Sequence, residues 1–186
     1  MLTFQAHQDI EVANNVFDGS GFGTIHEWNS TMSGFVRFLN NTIIRAHSSE
    51  PVLFLNTSPA TYVIVNNILD GVSSTVGSRS NNIYTRTTWL PSPLSTKEVV
   101  NTALNTILPD LAAGSYMISA NVGANLPCDA GANLSRFGFT DDFRSVSRQS
   151  PWDIGAVEYQ TAGATLEFTP VDFGLVAVGR SQDRVL

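Results

Sequence analysis

An Asn-Asn doublet followed by apolar residues recurs along the first half of the chain, and it constrains the fold more than any other feature. The doublets are Asn14-Asn15, Asn40-Asn41, Asn66-Asn67 and Asn81-Asn82, so the first three begin 26 residues apart and the last follows after 15. A fixed period of this size is typical of architectures in which each copy is one structural unit stacked on the next.

The positions before each doublet are apolar in all three long copies. The residues two positions before the first asparagine are Val12, Phe38 and Ile64. The residues four positions before it are Ile10, Val36 and Tyr62. Between these columns lie Glu11, Arg37 and Val63, so the pattern alternates like a strand with one buried face. Copies stacked in register about 4.8 Å apart form a coil of parallel strands. Glu11 would then lie beside Arg37 on the outer face.

The asparagines are predicted to form a structural ladder along the coil. The ladder residues are Asn14, Asn15, Asn40, Asn41, Asn66, Asn67, Asn81 and Asn82. Stacked amides can hydrogen-bond to one another and to the backbone of a turn, and asparagine tolerates the left-handed conformation. Which member of each pair turns and which stacks stays open. Hairpin turns of an antiparallel sandwich are the alternative, less favoured because strand-forming residues follow the doublets where hairpins prefer glycine.

Composition excludes several partners. The chain of 186 residues has a net charge of −6 and one lysine, Lys97, which argues against nucleic acid and anionic membranes. No stretch approaches the roughly 20 apolar residues of a membrane span, so no membrane insertion is predicted within this chain. Cys128 is the single cysteine, so no internal disulfide is possible. The start at Met1 lacks a signal-peptide pattern, and we expect further rungs or a cap before it.

A helix is predicted where the repeats stop. Pro91 and Pro93 interrupt the pattern, and Ser95 with Glu98 three residues later has the spacing of a capping box. Apolar residues then recur on one helical face until Pro109. The sequence predicts one amphipathic helix over residues 96 to 108, packed against the coil.

Two later elements carry a resemblance. They are Pro127-Cys128-Asp129-Ala130-Gly131 and Asp153-Ile154-Gly155-Ala156-Val157-Glu158. With the asparagine-rich rungs, residues 10 to 160 resemble the right-handed parallel β-helix repeat proteins of the choice-of-anchor Q domain type, a bacterial surface group. The chain departs from that pattern at Cys128. The resemblance implies an all-β, pectate-lyase-like solenoid fragment from a secreted or cell-surface protein.

This interpretation divides the chain into three parts. Residues 1–90 would form the parallel β-helix rungs, and residues 91–160 the C-terminal capping region of the β-helix. Residues 161–186 alternate like strands and are similar to the start of an immunoglobulin-like β domain, of which too few residues are present for a complete sandwich.

The acidic residues Asp129, Asp141, Asp142 and Asp153, with Glu158, are the best candidates for chemistry. Oxygen ligands of this kind suit calcium, the one cofactor considered, and paired carboxylates suit glycoside cleavage. The favoured alternative is structural: Asp129 and Asp153 hydrogen-bond turn backbone and seal the end of the coil.

Other side chains are weaker candidates. Of His7, His26 and His47, His26 with Glu27 or His47 with Arg45 could serve acid–base chemistry, although loop histidines are usually only solvated. Arg37 and Arg45 are the rung-borne arginines that a lyase-like face could use. Trp28, Trp89 and Trp152 could stack on sugar rings, although Trp152 is expected to pack over the coil's end. Cys128 has no neighbouring histidine and is disfavoured as a nucleophile. We expect a non-catalytic extracellular module for display, adhesion or contact with a polysaccharide or surface glycan. A fragment of a polysaccharide lyase or glycoside hydrolase is the alternative.

Overall fold

The structure, a computed structural model, describes residues 2–4, 9–19, 25–27, 34–45, 51–55, 61–73 and 77–160. Their secondary structure is mostly short strands, with very little helix. The strands are β1 (Leu2–Phe4), β2 (Ile10–Ala13), β3 (Val16–Asp18), β4 (Ile25–Glu27), β5 (Phe35–Leu39), β6 (Thr42–Ile44), β7 (Leu53–Phe54), β8 (Thr61–Val65), β9 (Ile68–Leu69), β10 (Ser78–Ser80), β11 (Ile83–Tyr84) and β12 (Val99–Val100).

The strands form three sheets in which every pairing is parallel. The first sheet contains β1, β4 and β7, the second β2, β5, β8 and β10, and the third β3, β6, β9, β11 and β12. Successive copies therefore contribute strands to the same sheets in the same order. The prediction of parallel strands is confirmed, because Phe38 pairs with Val12 on one side and with Ile64 on the other.

Apolar side chains pack on both surfaces of the second and third sheets. The inner columns, including Val36, Phe38, Tyr62 and Ile64, form one buried cluster with residues of the first sheet. Two further clusters lie on the opposite surfaces: Leu39 and Val65 of the second sheet contact the C-terminal region, and so do Ile68 and Ile83 of the third. Sheets covered on both faces account for the nearly continuous apolar run of each strand.

The helix predicted over residues 96 to 108 is wrong. Val99 and Val100 form β12, paired with β11, and the α-helix α1 contains only Leu104–Ile107. The Ser95 N–H does donate to Glu98 Oε2 at 2.8 Å, as in a capping box. The other carboxylate oxygen of Glu98 binds side chains of β11 and its flanking turn, however, and β-branched valines suit the open edge of that sheet.

The C-terminal region lies along the outside of the sheets. We call residues 127–159 the strap, because hydrogen bonds join it to all four asparagine doublets. The prediction that its motifs and Trp152 cover the end of the coil is therefore wrong: Trp152 packs against Leu39 and Val65 on the outer surface of the second sheet. Two 3₁₀ turns, Leu111–Ala113 and Ser135–Phe137, complete the described secondary structure. None of the helices in the described ranges is long and apolar enough to cross a membrane.

The inner column should dominate stability. Replacing buried Phe38 by Ala leaves a cavity in the core and is expected to lower the free energy of unfolding by about 3–5 kcal/mol. Phe35, on the same strand, is 42% exposed, so Phe35→Ala should cost at most about 1 kcal/mol. Chemical denaturation of both variants measures the difference, and equal losses would contradict the assignment of the inner face.

Candidate functional site

The two asparagines of each doublet have different backbone conformations. The first members, Asn14, Asn40, Asn66 and Asn81, all adopt φ between 51° and 59°. This left-handed conformation is uncommon outside glycine and is best tolerated by asparagine and aspartate. The first asparagine therefore makes the corner between the second and third sheets, which decides the question that the sequence left open.

The second asparagines stack along the inside of the corner. The amide oxygen of Asn67 accepts hydrogen bonds from the backbone N–H and the Nδ2 of Asn41, at 2.9 and 3.0 Å. Asn82 accepts the same two bonds from Asn67, both at 3.0 Å. The side-chain amide of Asn67 also donates to the carbonyl of Phe38 at 2.8 Å. Every bond between neighbouring asparagines of this ladder runs from the earlier copy to the later one.

Glu98 ends the ladder, a role that sequence reasoning missed. Its Oε1 accepts from Asn82 Nδ2 at 2.9 Å and from the Tyr84 hydroxyl at 2.6 Å, and its Oε2 lies 3.5 Å from Arg79 Nε. Burial and then the bond to Glu98 raise the pKa of Tyr84, which keeps the phenol protonated as a donor. The available signal was Lys97-Glu98-Val99-Val100, which repeats two polar and two apolar positions like Asn81-Asn82-Ile83-Tyr84.

The first asparagines point outward and hold the strap. Asn14 donates to the carbonyl of Asp141 at 2.6 Å, Asn40 to that of Asp153 at 3.0 Å, Asn66 to that of Ala132 at 2.7 Å and Asn81 to that of Ala130 at 2.8 Å. Asn66 also accepts from the Ala132 N–H at 2.9 Å. Each doublet thus places one amide inside the stack and one against the strap.

Glycine is required where the strap approaches closely. A Cβ on Gly131 would lie 2.7 Å from the Trp152 carbonyl oxygen, and Gly155 has φ +102° with Ile68 in the way of a Cβ. The Gly155 N–H donates to the Asn66 carbonyl at 2.8 Å. Both glycines of the two C-terminal motifs therefore serve close backbone contact.

The acids of the strap bind backbone N–H groups and arginines. Asp153 accepts from the N–H of Asp129 at 2.6 Å and from that of Tyr159. Glu158 accepts from Arg148 Nη1 at 3.0 Å, from the Gln149 N–H at 2.8 Å and from the Asp153 N–H at 3.1 Å. Burial raises the pKa values of Asp153 and Glu158 and lowers that of Arg148.

Asp141 and Asp142 have separate partners. Asp142 forms an ion pair with Arg144 at 2.7 Å and accepts from the N–H of Val146 and of Glu158. Asp141 is exposed and accepts from the Ser147 hydroxyl at 3.1 Å. The calcium prediction stays a prediction, and these bonds account for the carboxylate positions without an ion.

In the described part of the chain, one group of three residues brings potential metal-ligand atoms close together. Ligand atoms of Cys128, Asp129 and Asp153 lie within 4.8 Å of one another. Both oxygens of Asp153 already accept N–H bonds, and calcium prefers six to eight oxygen ligands. Burial raises the pKa of the Cys128 thiol to about 11, so it is protonated near neutral pH and a poor nucleophile.

A cleft adjoins this group. It has a volume of about 370 Å³ and is lined by Lys97, Thr96, Asn81 and Asp129 over apolar side chains that include Ile154. The residues that line the cleft include hydrogen-bond donors and acceptors, and none of them is aromatic.

The remaining candidates are dispersed. Trp89 is 40% exposed, whereas Trp152 is buried against Phe139, with ring centroids 5.7 Å apart. Arg37 lies 3.5 Å from Glu11, as expected for neighbouring copies, and Arg45 forms an ion pair with Asp18. Trp28, His7 and His47 lie outside the described residues, as does the side chain of His26.

Comparison with known proteins found no matching family model, no similar curated protein and no similar solved structure. The fold and contacts described above are therefore the basis for any functional proposal.

Removing one rung of the ladder should be costly. Asn67→Ala leaves the buried N–H of Asn41 without an acceptor and is expected to lower the free energy of unfolding by about 2–4 kcal/mol. Asn15→Ala is the matched control: Asn15 is half-buried at the start of the ladder, and its loss should be about 1 kcal/mol or less. Equal losses of unfolding free energy in denaturant titrations would contradict the role of Asn67 as a buried link of the ladder.

Asp153 should make stability depend on pH. A carboxyl whose pKa is raised on folding binds its proton more tightly in the folded chain, so its contribution falls as pH rises above the ordinary value of 3.8. Glu158 acts in the same direction above 4.5, whereas Asp18, whose pKa is lowered chiefly by Arg45, acts oppositely below 3.8. Above pH 4, Asp153→Asn should therefore flatten the decline of unfolding free energy. Asp141→Asn, at an exposed position of the strap, is the control, and an unchanged slope in Asp153→Asn would refute the assignment.

Proposed function

We propose that residues 10–160 form a segment of a right-handed parallel β-helix that acts as a rigid, non-catalytic module of a secreted or cell-surface protein. Its role would be display, adhesion or contact with a polysaccharide or surface glycan. Support for the β-helix comes from the repeated order of three parallel sheets and from the register of equivalent columns. Support for the cellular context comes only from the resemblance of the rung and strap motifs.

The observation that carries the non-catalytic proposal is that the acidic side chains are buried and hydrogen-bonded within the strap. Asp142, Asp153 and Glu158 converge with Arg148, as carboxylates do in many glycan-cleaving sites. All four side chains are buried, however, and the carboxylate oxygens accept N–H bonds that fix the strap. General acid–base catalysis requires a group that reaches the substrate, so this arrangement favours a structural tie.

The second support is the connection between distant copies. The ladder joins each copy to the next, and the strap contacts the first and the last doublet at once. A segment built in this way resists bending and keeps its surface in one arrangement, which suits a spacer or display element.

The proposal predicts binding without turnover. The full chain is incubated with polyuronates and with neutral polysaccharides, while unsaturated products are followed by ultraviolet absorbance and reducing ends by colorimetry. We expect neither product above the buffer blank, and we expect retention of at least one glycan in an affinity gel. Product formation that disappears in Asp129→Asn, at the exposed edge of the acidic group, would support the lyase or hydrolase alternative and overturn the proposal.

A further inference from the structure

The side chain of Trp89 faces solvent although its backbone adopts a conformation that bulky residues avoid. Its φ is +57°, in the left-handed region, and the residue is 40% exposed. A bulky residue in this region is a genuine outlier and is retained only where the surroundings impose it. Trp89 is not among the buried residues of the three clusters, so complete burial in the core does not account for this conformation.

The surroundings of Trp89 fix it in this position. Its carbonyl accepts the Val72 N–H at 2.8 Å, and the next residue, Leu90, packs against the inner core. Gly71 lies directly beneath: a Cβ there would come within 2.9 Å of the Trp89 Cβ. These contacts hold the backbone and the Cβ of Trp89, and they therefore fix the point from which the side chain projects.

Polar groups border the same place. Asp70, the neighbour of Gly71, pairs with Arg86 at 2.5 Å and accepts the Thr85 hydroxyl at 2.9 Å. Thr88 precedes the tryptophan on the exposed surface. An exposed aromatic side chain next to polar residues is complementary to a pyranose, which has an apolar C–H face and a rim of hydroxyls.

We infer that Trp89 is a stacking platform for a neutral pyranose of a polysaccharide chain, with the exposed Thr88 as the neighbouring polar residue. This assignment rests on the proposed glycan contact and names its residue. A neutral chain fits better than an acidic one, because Arg86 is already matched by Asp70 and the protein has a net charge of −6.

The test is titration of the full chain with neutral oligosaccharides, namely cellohexaose, mannohexaose, maltohexaose and chitohexaose, and with oligogalacturonate as the charged arm. Calorimetry should detect binding of at least one neutral oligosaccharide, weakened about tenfold or more in Trp89→Ala and less in Trp89→Phe. Phe143→Ala is the matched control, because Phe143 is 52% exposed elsewhere on the surface and its removal should leave affinity unchanged.

The outcomes separate the two proposals. Binding that is equal in Trp89→Ala and wild type overturns the platform and leaves the glycan-contact function standing, whereas binding only of oligogalacturonate overturns the neutral assignment. A wild-type chain that binds none of the oligosaccharides overturns the platform and the glycan-contact role together, and leaves display as the proposed role. Thermal unfolding of Trp89→Gly checks the packing alternative: glycine is relaxed at this φ, so Tm should not fall, and a large fall would make the indole a packing residue.

Discussion

The structure depends on one backbone constraint, the left-handed asparagine at the corner between the second and third sheets. Because the first residue of each doublet takes this conformation, its amide points outward while the amide of the second points inward. A single dipeptide thus supplies both a ladder inside the stack and a row of hydrogen bonds to the strap. The row of bonds to the strap would not exist if the corner were made by glycine, which has no amide side chain.

The inner ladder is polar material in an apolar interior, and it persists because its polar groups are satisfied. A buried amide without partners costs several kcal/mol, whereas Asn67 bonds to both neighbouring copies and to backbone carbonyls. The column also fixes register, because a copy shifted by one residue would place an amide against an aliphatic column. At the last described rung the carboxylate of Glu98 accepts the ladder's donors, with Arg79 beside it. Such a buried charge is tolerable only when paired in this way.

The sequence predicted the parts of the fold whose contacts repeat with its own period. Stacked strands place equivalent residues on one another, so the columns of Phe38 and Ile64 were visible as a pattern. The helix prediction failed because the spacing of Ser95 and Glu98 is satisfied by the same local bond in a non-helical turn, while the second oxygen of Glu98 is used by the ladder. The position of the strap was beyond local reasoning, because its contacts, such as that between Asn66 and Ala132, join residues far apart in the chain.

The strap couples copies of the repeat that are not neighbours, because it is bonded to all four doublets. In a simple stack each copy contacts only its neighbours, and stability is a sum of local terms that allows fraying from an end. Here Arg148 donates both to Asn14 in the first doublet and to Gly155, while Gly155 binds the third doublet through Asn66. Loosening any one copy therefore disturbs bonds made by the others, so the described copies should unfold together. The buried acids Asp142, Asp153 and Glu158 take part in this coupling, because their bonds to N–H groups and to Arg148 fix the strap that joins the copies.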